Sequence, residues 1–302
     1  MELPDPIKVV ADQFGAGGDI APPPELFEAY DVFAAELAGL FVRPWLALDH
    51  ASRLTADGDY FRADLGPRSV VMVRETAEQI HALRNACLHA GYRVCEDEGG
   101  HADKLFCIYH GWYYALDGRL TDPMLRPDEP DRSRYRLPRY AMQIDRGLIL
   151  VDMSKAAPSS PEAEPPDLAD VPGWLADANV TARQRFNASF NWKYLRQLLW
   201  STPALAFEDG GCDRVVEFGP MSYLALRGDE AALVRMSPRY PGQSEFDVIR
   251  MAPEGAPAVG SNERLGEALR QRTEAVAAAP LSLLGREFYD WYWSALSLPA
   301  AA

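Results

Sequence analysis

The chemistry of this chain is concentrated in two short stretches, Cys87-Leu88-His89 and, after seventeen residues, Cys107-Ile108-Tyr109-His110. Two thiolates and two imidazoles arrive as a pair of two-ligand loops, each beside a run of β-type residues. A Cys2His2 set suits zinc, or a [2Fe–2S] cluster in which two cysteines hold one iron and two histidines the other. Ligand order separates the two. A zinc finger presents its cysteines in one knuckle and its histidines on a following helix, whereas here each loop supplies one of each and so reaches both irons.

All five histidines, His50, His81, His89, His101 and His110, lie in the first 110 of 302 residues, so chemistry further along must proceed without imidazole. His50 and His81 read as structural, and His101 as a solvated residue between the ligand pairs. Cys95 and Cys212 have no matching pair in the pattern and read as small buried apolar residues. The glycines at 15, 17 and 18 follow no strand and precede a proline run, Pro22-Pro23-Pro24, which marks a linker rather than a phosphate loop.

The elements that must position these residues fall into two grammars. Asp31 opens a helix to Phe41, with Phe33, Leu37, Leu40 and Phe41 on one face and Pro44 beyond it. From Tyr60 to Asp152 come short β-type runs: Ser69 to Val73, Ile80 to Leu83, Leu105 to Tyr109, Trp112 to Leu116 and Gly147 to Val151, with turns at Gly99-Gly100 and Asp117-Gly118. A boundary rich in Pro, Ser, Ala and Glu follows, Ala156 to Pro166. Beyond it Arg185 to Phe190 reads as a strand and Asn191 opens a helix. Further strands are expected at Arg214 to Phe218, Tyr223 to Arg227, Leu233 to Met236 and Phe246 to Met251, then helices at Asn262 to Ala278 and Leu284 to Leu296. The layout is α+β. The expected domains are an N-terminal arm and helix (1–44), the cluster domain (45–155), a linker (156–180) and a second domain (181–302).

Composition closes off other classes. Thirty Lys and Arg against 44 Asp and Glu give a net charge of −14, which repels nucleic acid and anionic membrane. With 48% apolar and 25% charged residues the chain is globular. Four cysteines are too few for a disulfide scaffold, and Met1 to Asp5 lacks the basic and apolar regions of a signal peptide, so a cytoplasmic setting with reduced thiols is expected. No apolar run approaches the ~20 residues of a membrane span; Ala275 to Leu284 is broken by Pro280.

Asn85-Ala-Cys-Leu-His-Ala-Gly91 and Cys107-Ile-Tyr-His-Gly-Trp112, followed by Leu116-Asp-Gly-Arg-Leu120, closely resemble the Rieske domain of ring-hydroxylating and demethylating oxygenases. Two positions depart from the usual motif: Ala90, where Arg is frequent, and Ile108, where Pro is frequent. Neither is a ligand. The resemblance implies a Rieske [2Fe–2S] cluster held by Cys87, His89, Cys107 and His110, in the low-potential type that lacks an additional disulfide. It extends through Asn191-Trp-Lys193 to the aromatic close, Arg286-Glu-Phe-Tyr-Asp-Trp-Tyr-Trp293, and so implies a helix-grip (START-like) second domain.

In that family the helix opened by Asn-Trp-Lys carries an acidic bridge and a His-x4-His pair that, with a carboxylate, hold a mononuclear iron. Here it reads Tyr194-Leu-Arg-Gln-Leu-Leu-Trp-Ser-Thr-Pro-Ala-Leu-Ala-Phe-Glu208. It has no histidine, no carboxylate before Glu208, and Ala204 or Leu205 near the first ligand position. Glu208 and Asp209 read as an exposed acidic loop; Glu263, Glu267 and Glu274 read as a solvated helix face. The second domain is thus expected to be degenerate, with no mononuclear iron. The function expected on that basis is a non-catalytic subunit of a hetero-oligomeric, trimer-based oxygenase. It would relay electrons from a reductase or ferredoxin to a catalytic alpha partner. A stand-alone carrier and a scaffold whose cluster only stabilises the fold are the alternatives.

Overall fold

The computed structural model describes residues 4–15, 22–41, 45–66, 68–123, 135–156, 164–207, 210–256, 263–278, 284 and 286–297. The chain divides into two compact units, one of residues 44–180 and one of residues 1–43 with 181–302.

Among the described residues the 44–180 unit holds ten short strands: β1 Leu46–His50, β2 Asp59–Leu65, β3 Arg68–Thr76, β4 Gln79–Arg84, β5 Gly99–His101, β6 Leu105–Cys107, β7 Trp112–Tyr114, β8 Leu120–Pro123, β9 Tyr140–Asp145 and β10 Leu148–Ala156. They form antiparallel sheets in the orders β4-β3-β2-β5, β6-β7-β8 and β1-β10-β9. The small β6-β7-β8 sheet ends as the second ligand loop begins, pairing Cys107 with Trp112 across that loop. Its two expected strands are shorter than the sequence suggested: Ile108 to Gly111 leave the ladder to form the loop, and beyond Tyr114 the chain turns, with Gly118 N donating to Ala115 O at 2.8 Å. β1 was not anticipated; all five of its residues are buried, which erases the alternation that marks a strand with one wet face. One core of Val71, Leu83, Val94, Leu105, Trp112, Tyr114, Leu120 and Leu137 surrounds Cys87 and Cys107.

The other unit carries helices α1 Asp5–Gly15, α2 Glu25–Glu28, α3 Tyr30–Glu36, α4 Trp192–Ser201, α5 Glu263–Ala278 and α6 Arg286–Ser297. Its sheet joins β11 Asn179–Ala188, β12 Arg214–Phe218, β13 Ser222–Arg227, β14 Glu230–Tyr240 and β15 Gln243–Ala252 in the antiparallel order β11-β15-β14-β13-β12. Residues 5–15, expected as part of an arm, are helical: Ile7 and Val10 are buried one turn apart, a contact that the neighbouring glycines hid. α3 runs on as a wider turn through Phe41, and Asp31 serves it from inside the first turn, accepting from Val32 N at 2.9 Å.

α4 begins where expected. Asn191 accepts from Lys193 N through its side chain, and Pro203 enforces a short tight turn beyond Thr202. Trp192 meets Phe41 edge-on at 5.0 Å and packs against Phe288, Trp291 and Tyr292 of α6. Beneath it lies a buried charge. Glu36 accepts from Trp192 Nε1 (2.7 Å) and Tyr292 Oη (2.5 Å) and pairs with Lys193 Nζ (2.6 Å), both members fully enclosed. No helix among the described residues is long and apolar enough to cross a membrane.

Candidate metal centre

The two ligand loops are built alike. Gly91 N donates to Cys87 O (2.8 Å) and Gly111 N to Cys107 O (3.0 Å), so each cysteine opens a turn closed four residues later. The closing glycines have φ of +75° and +69°, the left-handed region where a side chain is strained. In the first loop the histidine is two residues after the cysteine, in the second three. The turns nonetheless bring the rings of His89 and His110 together, centroids 4.4 Å apart and 69° between planes.

Burial sorts the four side chains into two pairs. Cys87 and Cys107 are 4% and 1% exposed, whereas His89 is exposed and His110 half-buried. The thiols are therefore buried and the imidazoles more exposed, an arrangement compatible with two irons that differ in their ligands. Burial holds the Cys107 thiol above its ordinary range, its hydrogen bond with Cys87 adds to this, and the backbone N–H groups of Tyr109 and His110 act against it. Those inward N–H groups are suited to a thiolate.

Three residues that the sequence reading gave no role complete the site. Tyr114, fully buried, accepts from Leu88 N (3.0 Å) and has its hydroxyl 3.2 Å from Cys87 Sγ. Burial raises this phenol well above its usual range, with the Cys87 bond adding to the rise, so it stays protonated. Asn85 clamps the first loop: its Oδ1 accepts from Val94 N and Cys95 N (2.9 and 2.8 Å), and its Nδ2 donates to Ser69 Oγ and Cys95 O (3.0 and 2.8 Å). Trp112 stacks on His89, centroids 5.1 Å apart and 10° between planes, and fixes the ring. Asn85 and Trp112 stood in the motif, but their partners lie across the fold; Tyr114 had no local signal.

The other histidines and cysteines lie apart. His50 is buried, with Nε2 2.9 Å from Leu175 O, and its pKa is lowered chiefly by burial. His81 pairs with Glu75 at 2.7 Å, and the exposed His101 pairs with Asp59 at 3.2 Å. Cys95 is buried, its thiol pushed up to about 12 by burial and then by Asp97, and is chemically quiet. Cys212 is half-buried, with Sγ 3.3 Å from Arg214 O, more exposed than an apolar role implies because it sits in a loop before β12.

On α4, the surroundings are cationic where the resemblance would put an acid. Arg196 lies 3.3 Å over Trp291 and 4.5 Å over Trp200, with Glu217 at 3.7 Å, and burial pushes it down to about 9. Ala204 and Leu205 lie in the tight turn after the helix. Glu208 and Asp209 fall outside the described residues, as do 157–163 of the expected linker. Glu263 and Glu274 are exposed and Glu267 half-exposed on α5. Among the described residues no group of three or more His, Cys, Asp or Glu side chains is placed to hold a metal ion, in this unit or in the 44–180 unit, the two ligand loops included.

Residues 44–139 match the profile of the Rieske [2Fe-2S] domain. Over 99 residues the chain is 37% identical to the benzene 1,2-dioxygenase subunit alpha of Pseudomonas putida, covering 33% of this chain and 22% of that one. Over 182 residues it is 30% identical to the glycine betaine monooxygenase oxygenase subunit of Chromohalobacter salexigens, covering 58% of this chain and 40% of that one. In fold it is similar to the apo form of the quaternary ammonium Rieske monooxygenase CntA, with a TM-score of 0.66, 17% identity, and coverage of 88% and 85%. Naphthalene 1,2-dioxygenase with bound indole gives a TM-score of 0.57 at 17% identity, covering 85% and 75%.

The chain thus contains a Rieske domain and is homologous to Rieske oxygenase alpha subunits, while spanning well under half the length of these two curated relatives. The expectation of a non-catalytic relay subunit is corrected by these relatives, which are themselves the catalytic oxygenase components of their systems. That expectation read the absence of imidazole beyond His110 as missing catalysis.

Proposed function

We propose that this chain is an oxygenase subunit of a Rieske oxygenase system, with a [2Fe–2S] cluster held by Cys87, His89, Cys107 and His110. The observation that carries this is the pairing of two equally built turns, each with a buried cysteine and a more exposed histidine, within residues 44–139 that match the Rieske domain. When bound, the cluster supplies one-electron chemistry for the oxygen-dependent oxidation of an organic substrate. With the cluster bound, the Tyr114 hydroxyl would donate to the Cys87 sulfur and the Tyr109 and His110 amides would favour Cys107 as thiolate, while Trp112 stacks on His89 and holds its ring. The core residues around the sulfurs keep water from them.

Residues 181–302 do not fit a two-histidine, one-carboxylate iron: they contain no histidine, and α4 presents Lys193 and Arg196 instead. We read this domain, helix-grip in kind, as lacking that triad, and derive no step through it. A reductase or ferredoxin as electron source, hetero-oligomeric assembly with a further alpha subunit, and a cytoplasmic setting belong to the same proposal. The test supplies reductant, an electron-transfer component, the further alpha subunit and candidate aromatic or alkylammonium substrates to the cluster-loaded protein, and follows oxygen uptake and product. Turnover that disappears in Cys107→Ala supports the reading; turnover unchanged by cluster loss overturns it. Metal analysis giving three irons per chain would overturn the absence of the triad.

A further inference from the structure

A cavity of about 430 Å³ opens within the unit of residues 1–43 and 181–302, lined from four separate stretches of the chain: Phe27 and Glu28 of α2, Phe190 and Tyr194 around the start of α4, Pro241 in the turn between β14 and β15, and Val276 of α5. Its walls are fixed in advance. Asn191 Nδ2 donates to Phe27 O (2.8 Å) and Pro241 O (2.7 Å), and Lys193 Nζ donates to Leu26 O (2.8 Å), so α2, the start of α4 and the β14–β15 turn are tied together without a ligand. Phe27 stacks on Tyr194, with centroids 4.9 Å apart and 11° between planes. The cavity sits at the N-terminal end of α4, a ten-residue helix and so ~15 Å long, with Ala204 and Leu205 in the turn beyond its other end.

The fold leaves two polar groups of this apolar cavity unused. Tyr194 is 2% exposed, yet its hydroxyl has no hydrogen-bond partner among the described residues. Burying a hydroxyl unpaired costs free energy, which a ligand atom within bonding reach restores. Glu28 is exposed and has no ion pair among the described residues. Burial first and the Glu28 charge second hold the Tyr194 phenol well above its usual range, so the carboxylate lies near a hydroxyl that keeps its proton. A carboxylate attracts a cation, a phenol oxygen accepts a hydrogen bond, and an apolar lining of this size takes a body of aromatic or alkyl carbon. An ammonium with N–H groups meets both polar demands at once, one N–H directed to Glu28 and another to Tyr194 Oη. An anionic head in that position is repelled by Glu28, and the chain's net charge of −14 favours the same sign of ligand. We propose that this cavity binds an amphipathic organic amine, with its ammonium between Glu28 and Tyr194 and its apolar body against Phe27, Phe190 and Val276.

The probe is 4-phenylbutylamine, compared by calorimetry on the full chain at neutral pH with the neutral 4-phenylbutanol and the anionic 4-phenylbutyrate, which share its body. The expected result is saturable one-to-one binding of the amine, about three- to tenfold weaker binding of the alcohol, and weaker binding again of the acid. Glu28→Gln, at an exposed position, lowers the affinity for the amine to that for the alcohol and leaves the alcohol unchanged. Tyr194→Phe, which removes a hydroxyl that bonds nothing else described, weakens amine and alcohol alike. Val276→Trp fills the cavity from α5 and abolishes both, with circular dichroism showing that each variant keeps its fold. Absence of saturable amine binding, a preference for the acid, or amine affinity unchanged in both Glu28→Gln and Val276→Trp overturns the proposal. None of these readouts involves the cluster, so their failure is separate from a failure of the oxygenase reading.

Discussion

Replacing Tyr114 by Phe removes one hydroxyl and tests how the protein sets the potential of its centre. Leu88 N–H already donates to the Tyr114 oxygen, and a ligand thiolate has no proton to give, so the Tyr114 proton points at Cys87 Sγ. A hydrogen bond to a charged acceptor is worth about 1.5–3 kcal/mol, and it strengthens when the extra electron of the reduced state adds negative charge to the sulfur. If about half of that strength distinguishes the two oxidation states, the difference is ~0.7–1.4 kcal/mol. For a one-electron couple this corresponds to a potential lower by roughly 30–60 mV. Spectroelectrochemical titration of wild type and Tyr114→Phe, both normalised to iron content, reads the shift. A potential unchanged or raised in a fully loaded variant would refute the assignment of Tyr114 as donor.

Other consequences follow from the same geometry. Gly91→Ala, placed at φ +75° with open space around the new methyl, isolates backbone strain of about 1–2 kcal/mol; thermal unfolding should show the loss, together with reduced iron content. Glu36→Gln leaves Lys193 buried without its counter-charge and should cost about 3–5 kcal/mol in denaturant unfolding, with Glu36→Gln/Lys193→Met recovering much of it; equal losses in both would contradict the pairing. Asp247 is held well below the usual carboxylate range by Arg235, Arg183 and Arg185, against the opposing effect of burial. Its stabilisation is therefore complete above the ordinary carboxylate pKa and lost as pH falls toward the folded value. Asp247→Asn should lower stability at neutral pH and flatten the acid limb of a pH–stability curve; a parallel, merely displaced curve would count against it.

How much of this was legible depended on whether the cause was local. The ligand loops could be read because the cysteine, histidine and closing glycine of each turn sit within five consecutive residues. Asn191 as helix cap and Pro203 as helix stop were legible for the same reason. Tyr114 and the clamp made by Asn85 act across the fold, with Cys87 and with Ser69 and Cys95, so spacing alone held no trace of them. β14 buries both faces of its run Ala231 to Pro238, and only its middle was recognised, because the alternation that delimits a strand is absent. The helix at 5–15 was obscured by neighbouring glycines and prolines that belong to the chain beyond it. The functional error had another origin. The absence of imidazole after His110 is a fact about one candidate iron site, and it was extended to the catalytic standing of the subunit, which the aligned oxygenase relatives contradict.

The most direct test of the centre is pulsed electron paramagnetic resonance of the reduced protein grown with nitrogen-15 histidine. Ligation by His89 and His110 predicts couplings to two histidine nitrogens on one iron, with one lost in His110→Cys. A reduced cluster with no histidine coupling, or with both couplings retained in that variant, would contradict the account.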